Sequence, residues 1–389
     1  MSLYKVGELK DGVSGLMSGT NLDNVTGLNR VLARAARKLV QKADIPEATD
    51  KEAVTLYDGV YDYPISDIIF GGALIDIQPQ GVTRAYFESV QKMPLEMFDR
   101  SKEYNFTGGV KATFEHDDGV PLLRISSPRA VSKAVLDTMN DADNWTASGS
   151  IASVADDATV YYDAPKSLRF TLTGSDTGIL TRTLSSTLNL SKYKDVAVAF
   201  LATRIPDGAT VSDLTSIELR LGSDSSNYDS VTATQGFLGA WVAGKWLLTA
   251  FDMSASTSTG TPDWTALDYI QVRFAHTATF TNMRVGGLWL SLPSPHEIIY
   301  QTAAIFLEDG ARSRIITDDD TEIVLNDGAF LLYEHECALA IAIQSKQKDK
   351  ANELRNILYN GEGDNMSLYA MYRGDNPSEE LRQVGSYYD

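Results

Sequence analysis

The run Ser167-Leu-Arg-Phe-Thr-Leu-Thr173 alternates polar and apolar residues at every position. That period predicts a β-strand with one buried face. Moving outward, the same habit returns in DVAVAFLAT (195–203), SIELRLG (216–222), KWLLTAFDM (245–253), YIQVRFA (269–275) and MRVGGLWLSL (283–292). Turn-rich stretches such as GSDSSNYDS (222–230) and SASTSTGTPDW (254–264) separate them. Short strands at this spacing predict a sandwich or jelly roll. Composition agrees. Between His116 and His296 there is one glutamate, Glu218, amid many Ser, Thr, Asp and Gly. Glutamate favours helices, and Thr, Val, Tyr and Phe favour strands. An all-β domain is expected over 139–297.

The flanks carry a different pattern. In Val25–Asp44 the apolar residues Leu28, Val31, Leu32, Ala35, Leu39 and Ala43 recur at helical spacing, and Pro46 stands just past the end. Strand candidates follow in AVTLYDG (53–59), ALIDIQP (73–79), VKATFEHD (110–117) and LLRISSP (122–128). After the middle block, IIYQTAAIFLE (298–308), SRIITD (313–318) and EIVLND (322–327) continue as strands. One helix is predicted over 329–359, about 45 Å long at 1.5 Å per residue. Residues 361–389 are polar with scattered tyrosines and are expected as an extended arm. ISSPRAVSKAV and LPSPHEI both carry Ser-Pro, a turn signal suited to the two ends of an insertion. The expected fold class is α+β. A helical and short-strand domain (1–138 and 298–360) is interrupted by an all-β jelly-roll sandwich.

Charge and motifs narrow the function. A net charge of −18 over 389 residues repels a phosphate backbone, so sequence-specific nucleic-acid binding is not expected. No apolar run reaches the length of a membrane span, and the first residues hold no apolar leader core. A soluble protein made in the cytoplasm is expected. The one cysteine, Cys337, rules out an intrachain disulfide. It stands in LLYEHECALAIAI (331–343) beside Glu334, His335 and Glu336. Residues two apart on a helix point about 200° apart, so His335 and Cys337 cannot be a nucleophile and its base. Cys337 aligns instead with Tyr333, Ala340 and Ile341, as a small buried hydrophobe, and the cluster is packing with a polar flank. The four histidines, His116, His276, His296 and His335, have no metal-ligand spacing. No phosphate-loop, dinucleotide or nucleophile-elbow motif occurs. The acid clusters DDATVYYDAP (156–165) and ITDDDTEIV (316–324) are expected as solvated turns. No metal, no cofactor and no catalytic role are expected.

A basic stripe crosses the first long helix at Arg30, Arg34, Arg37, Lys38 and Lys42. It reads as a solvated face, or as a docking face for an acidic surface, either a partner or another copy of the chain.

The order of outer elements resembles the head-to-tail connector (adaptor) proteins of tailed bacteriophages. The basic helix, DGVYDYPIS (58–66), short strands, then EIVLNDGAFLLYEHECALAIAIQSKQKDKANELRNILYN (322–360) and a polar tail carry that resemblance, over about 20–130 and 298–389. It implies a virion structural protein at the neck, assembled as a twelvefold homo-oligomeric ring under the portal protein. It further implies other neck and tail proteins as partners. Interface residues would be Arg30, Arg34, Arg37, Lys38, Tyr369, Tyr372, Arg373, Tyr387 and Tyr388. The arm would order on the portal.

The middle block is similar to jelly-roll carbohydrate-binding modules, through DNWTASGS (143–150), YYDAPKSLRFTLT (161–173), GKWLLTAFDMS (244–254) and PDWTALDYIQVRF (262–274). That implies an outward sandwich and, as an alternative function, a tail or baseplate receptor- or glycan-binding protein with Trp241 and Trp289 as contacts. Such modules often hold calcium through aspartates of the last strand. Here that strand reads MRVGGLWL.

Overall fold

A computed structural model describes residues 3–18, 20–43, 45–66, 73–80, 91–92, 111–117, 120–125, 133–162, 165–302, 304–361 and 366–375. The chain divides into two units, a base of 1–54, 64–124 and 296–389 and a sandwich of 55–63 and 125–295.

In the base, five described helices pack around one core: α1 (Val6–Leu16), α2 (Leu28–Lys42), α3 (Asp327–Gln344), α4 (Lys348–Arg355) and α5 (Leu368–Asp375). On α2 the predicted stripe turns inward, with Leu32, Ala35, Leu39 and Ala43 buried. These residues meet Tyr333, Cys337 and Ile341 of α3, all fully buried. Tyr333 donates its hydroxyl to the Leu32 carbonyl at 2.9 Å. Short strands Leu3–Lys5, Glu322–Val324, Phe306–Glu308 and Ala311–Ser313 form one small sheet, in that order.

The helix expected over 329–359 is broken. α3 stops at Gln344, Lys346 takes a left-handed conformation (φ 59°), and α4 restarts at Lys348. The cause is visible in the sequence. Gln344–Lys350 (QSKQKDK) has no apolar residue, so nothing holds that turn to the core. Gln344 and Gln347 instead donate to the Thr26 carbonyl and the Thr20 hydroxyl.

In the sandwich, two antiparallel sheets of six strands face each other. The strands are β1 (Lys133–Asp137), β2 (Thr146–Gly149), β3 (Ile151–Asp157), β4 (Ser167–Leu172), β5 (Asp176–Leu188), β6 (Val198–Arg204), β7 (Leu214–Asp224), β8 (Asn227–Ala233), β9 (Trp246–Asp252), β10 (Thr257–Thr259), β11 (Leu267–His276) and β12 (Phe280–Ser291). The first sheet runs β3-β4-β12-β6-β9, with β1 also pairing β12. The second runs β10-β8-β7-β11-β5-β2. Leu168, Phe170 and Leu172 of the quoted strand are buried in the core, as its alternation requires.

The sandwich takes more chain than 139–297. β1 pairs with β12 through Lys133–Asp137. Thr55–Tyr63 also joins it, because two of its tyrosines settle on the outer face of the first sheet. Tyr57 packs edge-on against Phe200 (5.2 Å) and Phe237 (6.1 Å), and Tyr63 against Phe237. The Asp58 amide donates to Ser291 Oγ at 2.7 Å.

Candidate functional site

The outer face of the second sheet carries the polar side chains that the strand register brings together. β7 and β11 pair with Glu218 opposite Arg273, Arg220 opposite Gln271 and Gly222 opposite Tyr269. On the other flank of β7, Arg220 faces Ser230 and Gly222 faces Tyr228 of β8. Gln271 faces Thr181 of β5. The intervening residues Ile217, Leu219, Leu221, Ile270 and Val272 fill the core. Period-2 alternation therefore places the charged set on one surface.

That surface is pre-arranged. Glu218 accepts from Arg220 Nε (2.7 Å) on one oxygen and from Arg273 Nη1 (3.0 Å) on the other. Gln271 Nε2 donates to Thr181 Oγ1 at 3.0 Å. The Arg220 guanidinium lies 4.5 Å from the centre of the Tyr228 ring. Tyr228 and Tyr269 sit with ring centres 6.4 Å apart, Tyr228 partly exposed and Tyr269 buried beneath. Burial pushes the Tyr269 hydroxyl above its ordinary range, with Arg220 and Arg273 opposing. Gly222 makes the arrangement possible. A Cβ there would stand 2.1 Å from the Asn227 carbonyl oxygen and 2.8 Å from the Tyr228 Cβ. Only glycine lets the Asp224–Asn227 turn bring Tyr228 down beside Tyr269.

Side chains of Glu218, Arg220 and Arg273 keep 20–27% of their surface. Ion pairs this accessible are worth about 0–1 kcal/mol, too little to explain the triad as a stabiliser. What they supply is orientation: two planar guanidiniums, a carboxylate and an amide in fixed positions. Sugar hydroxyls need donors and acceptors side by side, and the C–H face of a pyranose packs on an aromatic ring.

The residues expected from the sequence are placed otherwise. Trp241 and Trp289, named for glycan contact, are 6% and 3% exposed. The Trp241 indole donates to Thr249 Oγ1, and that of Trp289 to the Asp58 carbonyl. Trp241 is held in packing, which corrects its assignment, whereas Trp289, though largely covered, lines a cavity on the outer face of the first sheet. On α2, Arg30, Arg34 and Arg37 are exposed, but Lys38 pairs with buried Glu336 at 2.7 Å. Tyr369 and Tyr372, expected as free anchors, are buried in the base core. Arg373 lies on α5, and Tyr387 and Tyr388 lie outside the described residues. Glu336, expected on a polar flank, is 1% exposed. Cys337 is buried, and burial pushes its thiol well above the ordinary range, which leaves it a poor nucleophile.

The acid clusters serve as ion-pair and turn partners. Asp156 pairs with Lys166 and Asp157 with Arg284, while Asp319 and Asp320 meet Lys10 and Lys5. Among the described residues no group of three or more His, Cys, Asp or Glu could hold a metal ion. One pair imitates a catalytic dyad: Ser150 Oγ lies 2.6 Å from His276 Nε2. Both are buried, and His276 Nδ1 meets the Ala278 carbonyl, where a triad would place a carboxylate. The pair ties the β2–β3 turn to the end of β11.

Sequence reading missed the platform, although its signal was present. SIELRLG and YIQVRFA put charge or amide at the outward positions, and Glu218 was noted only for its rarity.

No family model matches the chain, and no curated protein matches it. Solved structures similar to it include a family 11 carbohydrate-binding module from Clostridium thermocellum, in complex with a β-1,3-1,4-mixed-linked tetrasaccharide. That match has 15% identity and a TM-score of 0.31, over 41% of this chain and 96% of that one. A family 30 module of a cellulosomal cellulase of Clostridium thermocellum matches at 13% and 0.30, over 42% and 97%. A third structure, of carbohydrate-binding modules from the β-sandwich superfamily, matches at 13% and 0.30, over 63% and 99%. At these TM-scores the sandwich assignment rests on strand order and pairing alone.

Proposed function

We propose that the sandwich is a glycan-binding module and that the outer face of β7, β11 and β5 is its platform. The supporting observation is the row Glu218–Arg220–Arg273–Gln271 beside Tyr228. The role is recognition, with no chemical step assigned to it. The partly exposed Tyr228 offers a ring face, and the row offers fixed donors and acceptors along a strand-length strip. The test is affinity electrophoresis or calorimetry of the full chain against a panel of soluble polysaccharides, including mixed-linkage β-glucan. Arg220→Ala and Tyr228→Ala should each weaken binding about tenfold or more, an effect of about 1.4 kcal/mol. Their thermal midpoints should stay close to the parent's. Binding by no polysaccharide, or binding indifferent to both variants, would defeat the reading.

A second reading concerns the base and is supported by the exposed Arg30, Arg34 and Arg37 on an acidic chain. In it the protein is a virion component of the head-to-tail junction. Its base would form a ring on the portal, and the sandwich would decorate that ring. Native mass spectrometry and negative-stain imaging of gently isolated assemblies test it. A ring co-purifying with a portal-like ring is expected, and a free monomer or a fibre-tip location would sink it.

A further inference from the structure

We infer that the cavity on the outer face of the first sheet is a second ligand site, built for a single carboxylated sugar residue of the uronic acid type. It lies wholly within the sandwich unit, on the sheet opposite the platform. Its volume is about 320 Å³. Ligand pockets run from about 300 to 1,000 Å³, so it has room for one ring and not for a chain.

The charge inside it is Lys133. Its Nζ stands 4.5 Å from the centre of the Trp289 ring, and among the described residues no carboxylate pairs with it. The carboxylate that does line the cavity, Asp137, is engaged by Arg182 from the other sheet. Among the described residues the ammonium is therefore not neutralised, in a chain whose net charge is −18. Trp289 is held from behind by its indole bond to the Asp58 carbonyl at 3.0 Å. Gly59 (φ 81°) keeps the space open. A Cβ there would come within 2.8 Å of Lys133 Nζ and 3.1 Å of Trp289 Nε1. A cation seated on an indole and backed by a fixed backbone is positioned to receive an anion.

The rest of the wall selects a ring. Tyr61 and Val135 line it and are 41% and 54% exposed, an apolar rim. Thr138 donates to Asn140 Oδ1 at 2.8 Å, which fixes that amide and leaves its NH2 group as the donor. One cation, one amide donor and an aromatic rim together match a carboxylate on a small ring with an apolar face and hydroxyl edges.

The full chain would be titrated with D-glucuronate and D-galacturonate, with D-glucose as the neutral control, by saturation-transfer NMR. At least one acid should bind, with glucose about tenfold weaker or more. Lys133→Gln should weaken the acid about tenfold, while Lys133→Arg retains binding. Arg220→Ala should leave acid binding unchanged, which separates this site from the platform. Should Lys133→Gln unfold the sandwich, Asn140→Ala at the rim replaces it, with a several-fold loss expected. No transfer to either acid, equal binding of glucose, or an acid affinity indifferent to both variants would overturn the inference.

Discussion

Glu336 lies 1% exposed between helices, and its carboxylate accepts from Lys38 (2.7 Å), Tyr369 (3.0 Å) and Tyr359. Burial, then the bond to Glu336, hold the Tyr359 hydroxyl well above its ordinary range, so it stays a donor. Removing the acceptor takes a partner from two tyrosine hydroxyls, while Lys38, 41% exposed, can turn to water. Glu336→Ala should cost about 1–3 kcal/mol, read as a lower urea midpoint. In the sandwich, Asp157 is raised by burial, but bonds from Thr159 and Arg284 outweigh this and hold it below the usual 3.8. A depressed carboxylate stabilises above its unfolded value and loses that support as pH falls through the folded one. Thermal unfolding followed downward from pH 5 should therefore show a loss beginning near pH 4 that Asp157→Asn makes smaller. Periodicity placed Cys337 correctly and Glu336 wrongly for one reason. α3 is buried on most sides, with Phe330, Leu332, Tyr333, Leu339 and Ala342 also inside, so its partly exposed flank is narrow, holding Glu334 and His335 but not Glu336.

At the scale of elements, strands were legible and their outer neighbours were not. The alternation of 167–173 and 269–275 gave the buried face of each strand, because that face is set by local period. Which strands adjoin is set by non-local pairing, so the meeting of Glu218 with Arg273, 55 residues apart, left no mark in either segment. The same limit hid the aromatic segment 55–63, whose partners Phe200 and Phe237 lie far along the chain. The break between α3 and α4 escaped the reading of one helix over 329–359, although QSKQKDK carries its signal. A lysine at positive φ costs about 1–2 kcal/mol relative to glycine. Lys346→Gly should raise the thermal midpoint by a few degrees. A fall would mean that the Lys346 side chain stabilises the turn.

At the scale of the molecule, the expected free arm is partly structural. α5 puts Tyr369 and Tyr372 into the base core, with Tyr359 and Tyr369 stacked at 5.4 Å. Cutting the chain after Gly361 should therefore lower the stability of the base by several kcal/mol, visible as an earlier unfolding transition. An unchanged transition would show that α5 contributes nothing to that core. The chain also passes between the two units four times, at 54/55, 63/64, 124/125 and 295/296. The bond from Asp58 to Ser291 closes across 233 residues. Loops of that length make slow folding reactions. On the ribosome, at roughly 5–20 residues per second, Tyr57 and Tyr63 emerge on the order of ten seconds or more before the strand that covers them. During that interval an aromatic segment is exposed to chaperones and to other nascent chains, so the yield of native protein should depend on what reaches 55–63 first.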